Sequence, residues 1–149
     1  MDGARLDDQQ IKHLEMIQTV ISRLANNSFL IKGWAVTVVG VFLGFAVDSS
    51  DGALAVASVV PTLAFWALDT YFLRSERLFR ALFDRVRAVP PGVEPFFMGA
   101  TSDPFVQSIS AGPGPDLSSW WTTAARPTLA LLYGGLLASA AGVAVALGL

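Results

Sequence analysis

With 149 residues, 53% hydrophobic and 15% charged, and a mean hydropathy of +0.54, the chain has the length of one small domain and too little charge for an ordinary soluble one, in which about 25% of residues are charged. The formal net charge of −2 argues against general nucleic-acid binding. The absence of cysteine excludes disulfides, thiolate metal sites and a lipidated N-terminal cysteine.

From Asp7 or Asp8 as N-cap, Ile11, Leu14, Ile17, Ile21 and Leu24 recur at steps of three and four. This spacing predicts an amphipathic helix over 8–28, with Lys12, His13, Glu15 and Arg23 among its polar positions. Residues 1–28 have no apolar h-region or cleavage site, so they do not read as a removable signal peptide. The helix is expected to continue into 29–47, FLIKGWAVTVVGVFLGFAV, which holds a single charge and can cross a hydrocarbon core about 30 Å thick. Lipid offers no water to unpaired backbone groups, and no alternating pattern suggests a barrel, so a helix is the only candidate there. The VDSSDG turn at 47–52 closes a helical hairpin. In the second span, 52–73, Pro61 predicts a kink.

With no Pro or Gly between Pro61 and Pro90, the second helix is expected to extend through 74–89 beyond the membrane. Phe72, Phe79, Leu82, Phe83 and Val86 share one face of it. On another, Glu76 with Arg80 and Arg80 with Asp84 are spaced as i,i+4 ion pairs. Arg74, Glu76, Arg77, Arg80, Asp84, Arg85 and Arg87 thus form either a solvated face or a contact surface for a soluble protein or anionic lipid heads. Residues 90–117 carry six of the eight prolines and no regular period, which predicts a long loop. Phe96, Phe97 and Phe105 are expected to dip it into the membrane interface. Ser118 and Ser119 are cap candidates for a helix that starts at 118–127 with the interfacial pair Trp120 and Trp121, passes Arg126 and Pro127, and becomes an uncharged third span, 128–149. Trp34 reads as a further interface anchor.

All ten Lys and Arg residues precede or just enter the first span, lie between Arg74 and Arg87, or stand at Arg126, and the 47–52 turn has none. The positive-inside rule then places the N-terminus and the 74–125 region in the cytoplasm, and the hairpin turn and C-terminus outside.

Lys32 lies about one turn inside the first span and Asp69 about one turn inside the second. In an antiparallel hairpin they reach the same depth. An intramembrane charge is costly, so the two are expected to form an ion pair. The alternatives are that Lys32 snorkels while Asp69 accepts from Thr70 or an indole, or that the two form an ion or proton relay. Gly33, Thr37, Gly40 and Gly44 make one small-residue stripe, and Gly134, Ala138, Gly142 and Ala146 another. Such stripes let backbones approach closely, within the chain or between subunits. His13 reads as a surface residue, since neither a second His nor a Cys lies at metal-ligand spacing. GPGP at 112–115 lacks a phosphate-cradling pattern and reads as a linker. Asn26, Asn27 and Ser28 are expected to hydrogen-bond across helices near the interface, or to line a vestibule.

The strings HLEMIQTVISRLANNSFLIKGWAV at 13–36 and FWALDTYFLRSERLFRALFDRVR at 65–87 resemble a family of small, largely uncharacterised bacterial multi-pass membrane proteins. The likeness implies a bacterial inner-membrane location. There is also a similarity to small transmembrane effectors of bacterial conflict systems.

The sequence thus predicts an all-α integral membrane bundle of three transmembrane helices in one domain. Its first two helices extend into the cytoplasm as an antiparallel amphipathic pair. With no catalytic constellation, the expectation is a non-enzymatic, cofactor-free homo-oligomer in the lipid bilayer, a pore-forming or membrane-perturbing effector gated by a cytoplasmic signal. The rival is a scaffold whose cytoplasmic helices dock a soluble partner; a transporter subunit ranks third and a membrane enzyme last.

Overall fold

The computed structural model of the chain describes residues 7–88, 92–111 and 119–148, and every regular element among them is helical. In chain order these are α1 (Asp8–Ser49), α2 (Gly52–Ala57), α3 (Val59–Arg87), α4 (Asp103–Ser110), α5 (Trp120–Ala124) and α6 (Pro127–Ala146). Three helical stretches, Asp8–Ser49, Gly52–Arg87 and Pro127–Ala146, are long and apolar enough to cross a membrane. The expected linker at 112–115 and cap at Ser118 lie outside the described residues.

The helix boundaries have local causes. After α1, Ser50 takes φ 53°. Asp51 N–H then reaches back to Ala46 O at 3.0 Å and Ser50 N–H to Val47 O at 3.3 Å, the paired bonds that satisfy a helix C-terminus around a left-handed residue. The Asp51 side chain in turn accepts from Ala53 N at 2.9 Å and caps α2. The second span is interrupted at Ser58, between α2 and α3, three residues before Pro61. Pro61 has no N–H for the carbonyl four residues earlier, so the ladder fails on the N-terminal side of the ring. Ser58 Oγ donates to Ala55 O at 2.6 Å across the break. The third helix, expected to run through Arg126 and Pro127, is likewise two helices. The residue before a proline is excluded from the helical region, and Arg126 is extended at φ −62°, ψ 141°.

The chain divides into two compact units, Met1–Asn26 with Phe72–Ser119 and Asn27–Tyr71 with Trp120–Leu149. In the first, Ile17 and Ile21 of α1 meet Leu78, Leu82 and Val86 of α3, and Ala100 and Phe105 complete the buried core. The 90–117 region, expected to lack regular structure, contains α4. Pro104 stands in the first turn of α4, where a missing N–H costs nothing. Phe97 and Phe105 therefore pack inward, their rings 5.8 Å apart, instead of dipping into a membrane interface; Phe96 is exposed. His13, expected at the surface, is buried, with Nε2 2.8 Å from Phe97 O. It sits four residues before Ile17 and so shares the core face of α1.

In the second unit α2 packs on α6, and Ala46, Ala55 and Ala144 meet there, backed by Leu43, Leu54, Val143 and Leu147. The buried stripe of α1 in this unit is Ser28, Ile31, Ala35, Val39 and Ala46, and that of α6 is Leu129, Tyr133, Ala140 and Ala144. Large apolar side chains cover the outside: Phe29 is 74% exposed, Val60 73%, Leu131 78% and Val145 72%. Water would penalise such a surface heavily, whereas hydrocarbon would not.

Candidate functional site

Asp69 is fully buried in the second unit, and all three apolar stretches reach it. From α1, Ser28 Oγ donates to Oδ1, and Lys32 Nζ lies 2.8 Å from Oδ1 and 2.7 Å from Oδ2. From α6, the Tyr133 hydroxyl donates to Oδ2 at 3.1 Å. Lys32 Nζ also donates to Ser28 Oγ at 2.7 Å. The ammonium thus has an acceptor for each of its three N–H groups, and the carboxylate has four donor contacts, its full capacity.

An outer layer steers this cluster. The Trp66 ring stacks on Tyr133, with centroids 6.0 Å apart and planes 9° apart. Trp66 Nε1 donates to Ala124 O at 3.2 Å, which ties α3 to α5. The alternative donors considered for Asp69 are committed elsewhere: Thr70 Oγ1 bonds Trp66 O at 2.7 Å, and the Trp66 indole is spent on α5. The Lys32 side chain is 29% exposed, while its ammonium bonds within the cluster. Chemically this is a compensated charge, with each donor and acceptor occupied, and it resembles a clasp more than a transfer site.

Depth arithmetic points to Lys32 and Asp69 but not to their partners. The one sequence signal for Tyr133 is that it is the single hydroxylated aromatic of the uncharged third span. Ser28 differs from its polar neighbours Asn26 and Asn27: it is buried while they are exposed. Elsewhere the expected stripes turn outward. Gly33, Thr37, Gly40 and Gly44, and likewise Gly134, Ala138, Gly142 and Ala146, are exposed, and a Cβ added at any of the five glycines meets nothing within 4 Å. Packing inside the chain uses the neighbouring alanine faces instead.

Among the expected contact residues, Glu76 pairs with Arg80 at 2.7 Å. Arg80 turns to that side, and Asp84 forms no ion pair among the described residues. Arg85 is not free for a partner. It donates to Ser108 Oγ at 2.8 Å and Ser108 O at 3.1 Å, and its guanidinium stands 4.9 Å from the centre of the Phe105 ring. Arg74 and Arg77 make contacts of their own, and Arg87 is exposed. Trp34 and Trp121 are exposed, and Trp120 is half-buried. No protein-family model matches the chain, and neither a curated protein nor a solved structure does.

Proposed function

We propose that the chain is a non-enzymatic protein of the bacterial inner membrane. In this reading the three apolar stretches cross the bilayer with the N-terminus cytoplasmic and the C-terminus outside, and several copies associate into a membrane-perturbing effector. The observation that carries the reading is the outward placement of both small-residue faces on an apolar exterior. Lipid gives no reason to expose Gly33, Gly40 and Gly44 along one line, whereas a neighbouring helix packs closely on them. Charge placement supports the orientation. Within the apolar unit, Asp48 and Asp51 stand at the hairpin end, and Lys32, Asp69 and Arg126 belong to the opposite, cytoplasmic end.

Any conducting path in this reading runs between subunits and is largely apolar. Ser58 and Thr62 are buried, and the exposed Thr37 and Ser139 hydroxyls are bonded back to their own helices at 2.9 Å each. Such a path opens by wetting, so it stays shut until packing shifts. The test is membrane depolarisation on expression in bacteria, compared with a variant carrying Gly40→Ile and Gly44→Ile. Depolarisation by the parent and its loss in the variant supports the effector. An unchanged potential at high expression favours the second reading, a membrane-held scaffold. That reading draws support from the first unit, whose own core and exposed Arg80 and Arg87 provide a surface for a soluble partner.

A further inference from the structure

Resting on the membrane reading, one surface feature of the apolar unit remains unexplained: a groove of ≈ 230 Å³ between α3 and α5, lined by Trp66, Ala67, Thr70, Trp120 and Trp121. It is aromatic on both walls, and Trp121 stands 79% exposed at its rim. Trp66 is held rigidly by its stack on Tyr133 and its bond to Ala124 O, so one wall is fixed by the Asp69 cluster. At this end of the unit the charged residues are Lys32, Asp69 and Arg126. Lys32 and Asp69 neutralise each other at 2.7 Å. Arg126, two residues after Ala124 of the lining, is exposed and forms no ion pair among the described residues.

We propose that this groove binds one anionic phospholipid from the bilayer, its acyl chain lying against Trp66 and Ala67 and its phosphate drawn to Arg126. The apolar floor suits a chain. The exposed Trp121 indole offers an N–H at headgroup level, where tryptophans settle in membranes. Arg126 sets the sign of the headgroup, an attraction that in general favours anionic over zwitterionic lipid about fivefold per basic side chain. Occupancy would also brace α5 against α3.

The experiment uses the full chain with Trp34→Phe, which removes the one tryptophan remote from the groove, in phosphatidylcholine nanodiscs. Increasing fractions of either phosphatidylglycerol or phosphatidylcholine with brominated acyl chains are added, and tryptophan quenching is recorded. The expected result is quenching by both lipids, with the anionic one saturating at about one fifth of the mole fraction. Arg126→Gln should bring the two curves together, and Ala67→Phe, which fills the groove from an exposed position, should lower the quenching by both. Equal curves for the parent overturn the lipid site while leaving membrane insertion standing. Absence of quenching by either lipid overturns both the site and the membrane reading.

Discussion

The phenol of Tyr133 donates to Asp69 Oδ2 over 3.1 Å, on the same carboxylate that Lys32 neutralises at 2.7 Å from α1. One buried side chain of α3 thereby takes its partners from both other apolar stretches. Removal of Asp69 should loosen both contacts at once, and removal of Tyr133 only one. Tyr133→Phe is expected to cost about 1.5–3 kcal/mol, the range for a hydrogen bond to a charged group, while the ring stack on Trp66 is kept. Reversible unfolding in bicelles measures it, and a change within error of zero would mean that the hydroxyl contact carries no stability.

Lys32 and Asp69 should couple asymmetrically. Lys32→Met strands a carboxylate that is 0% exposed, whereas Asp69→Asn leaves an ammonium on a 29% exposed side chain that can reach headgroups. The lysine change is therefore expected to be the worse of the two, at about 3 kcal/mol or more, and the double change milder than the sum. A double-mutant cycle with zero coupling energy would contradict the clasp.

In the charged unit, α4 is held by a buried ring and a cation. Phe105→Ala should destabilise that unit by about 3–5 kcal/mol, as truncation of a buried aromatic does. Arg85→Ala should cost less, since its contacts with Ser108 and Phe105 lie at the surface. Gly99 is a second sensitive point: a Cβ there would sit 2.7 Å from the Phe97 ring, so Gly99→Ala must displace a core side chain. Hydrogen exchange over 92–111 is the readout, with protection falling in all three variants and most in Phe105→Ala.

These contrasts show how much of the molecule could be read from its residues. The three apolar stretches are plain in hydropathy, and the meeting of Lys32 with Asp69 follows from depth in a hairpin, because the rise per residue is fixed. Tyr133 could not be placed in the same way, since the rotation of α6 about its axis depends on packing that a uniformly apolar helix does not encode. The small-residue stripes misled for a related reason. Gly134 stands one position from Tyr133, and one residue turns a helix by about 100°, so a visible stripe can face away from the core while an alanine line faces in. The density of prolines in 90–117 reads as loop, although Pro104 marks the start of α4. The lack of a second ligand at metal spacing makes His13 read as a surface residue, whereas its four-residue step to Ile17 puts it on the core face.

Orientation has its own test. Reporter fusions should place residue 50 and the C-terminus outside and the N-terminus inside, as the basic residues demand. A cytoplasmic C-terminus would remove one crossing or add one, and with it the membrane reading of α6.

The central claim is that copies of this chain meet through the exposed glycine face of α1. Since a Cβ at Gly40 or Gly44 meets nothing within 4 Å, Gly40→Ile and Gly44→Ile leave the single-chain fold room and act only on a neighbour. The most direct measurement is stepwise photobleaching of singly labelled protein in native-like bilayers at low density. The account predicts several bleaching steps per spot for the parent and a shift towards one step for the isoleucine variants; a single step for the parent would contradict it.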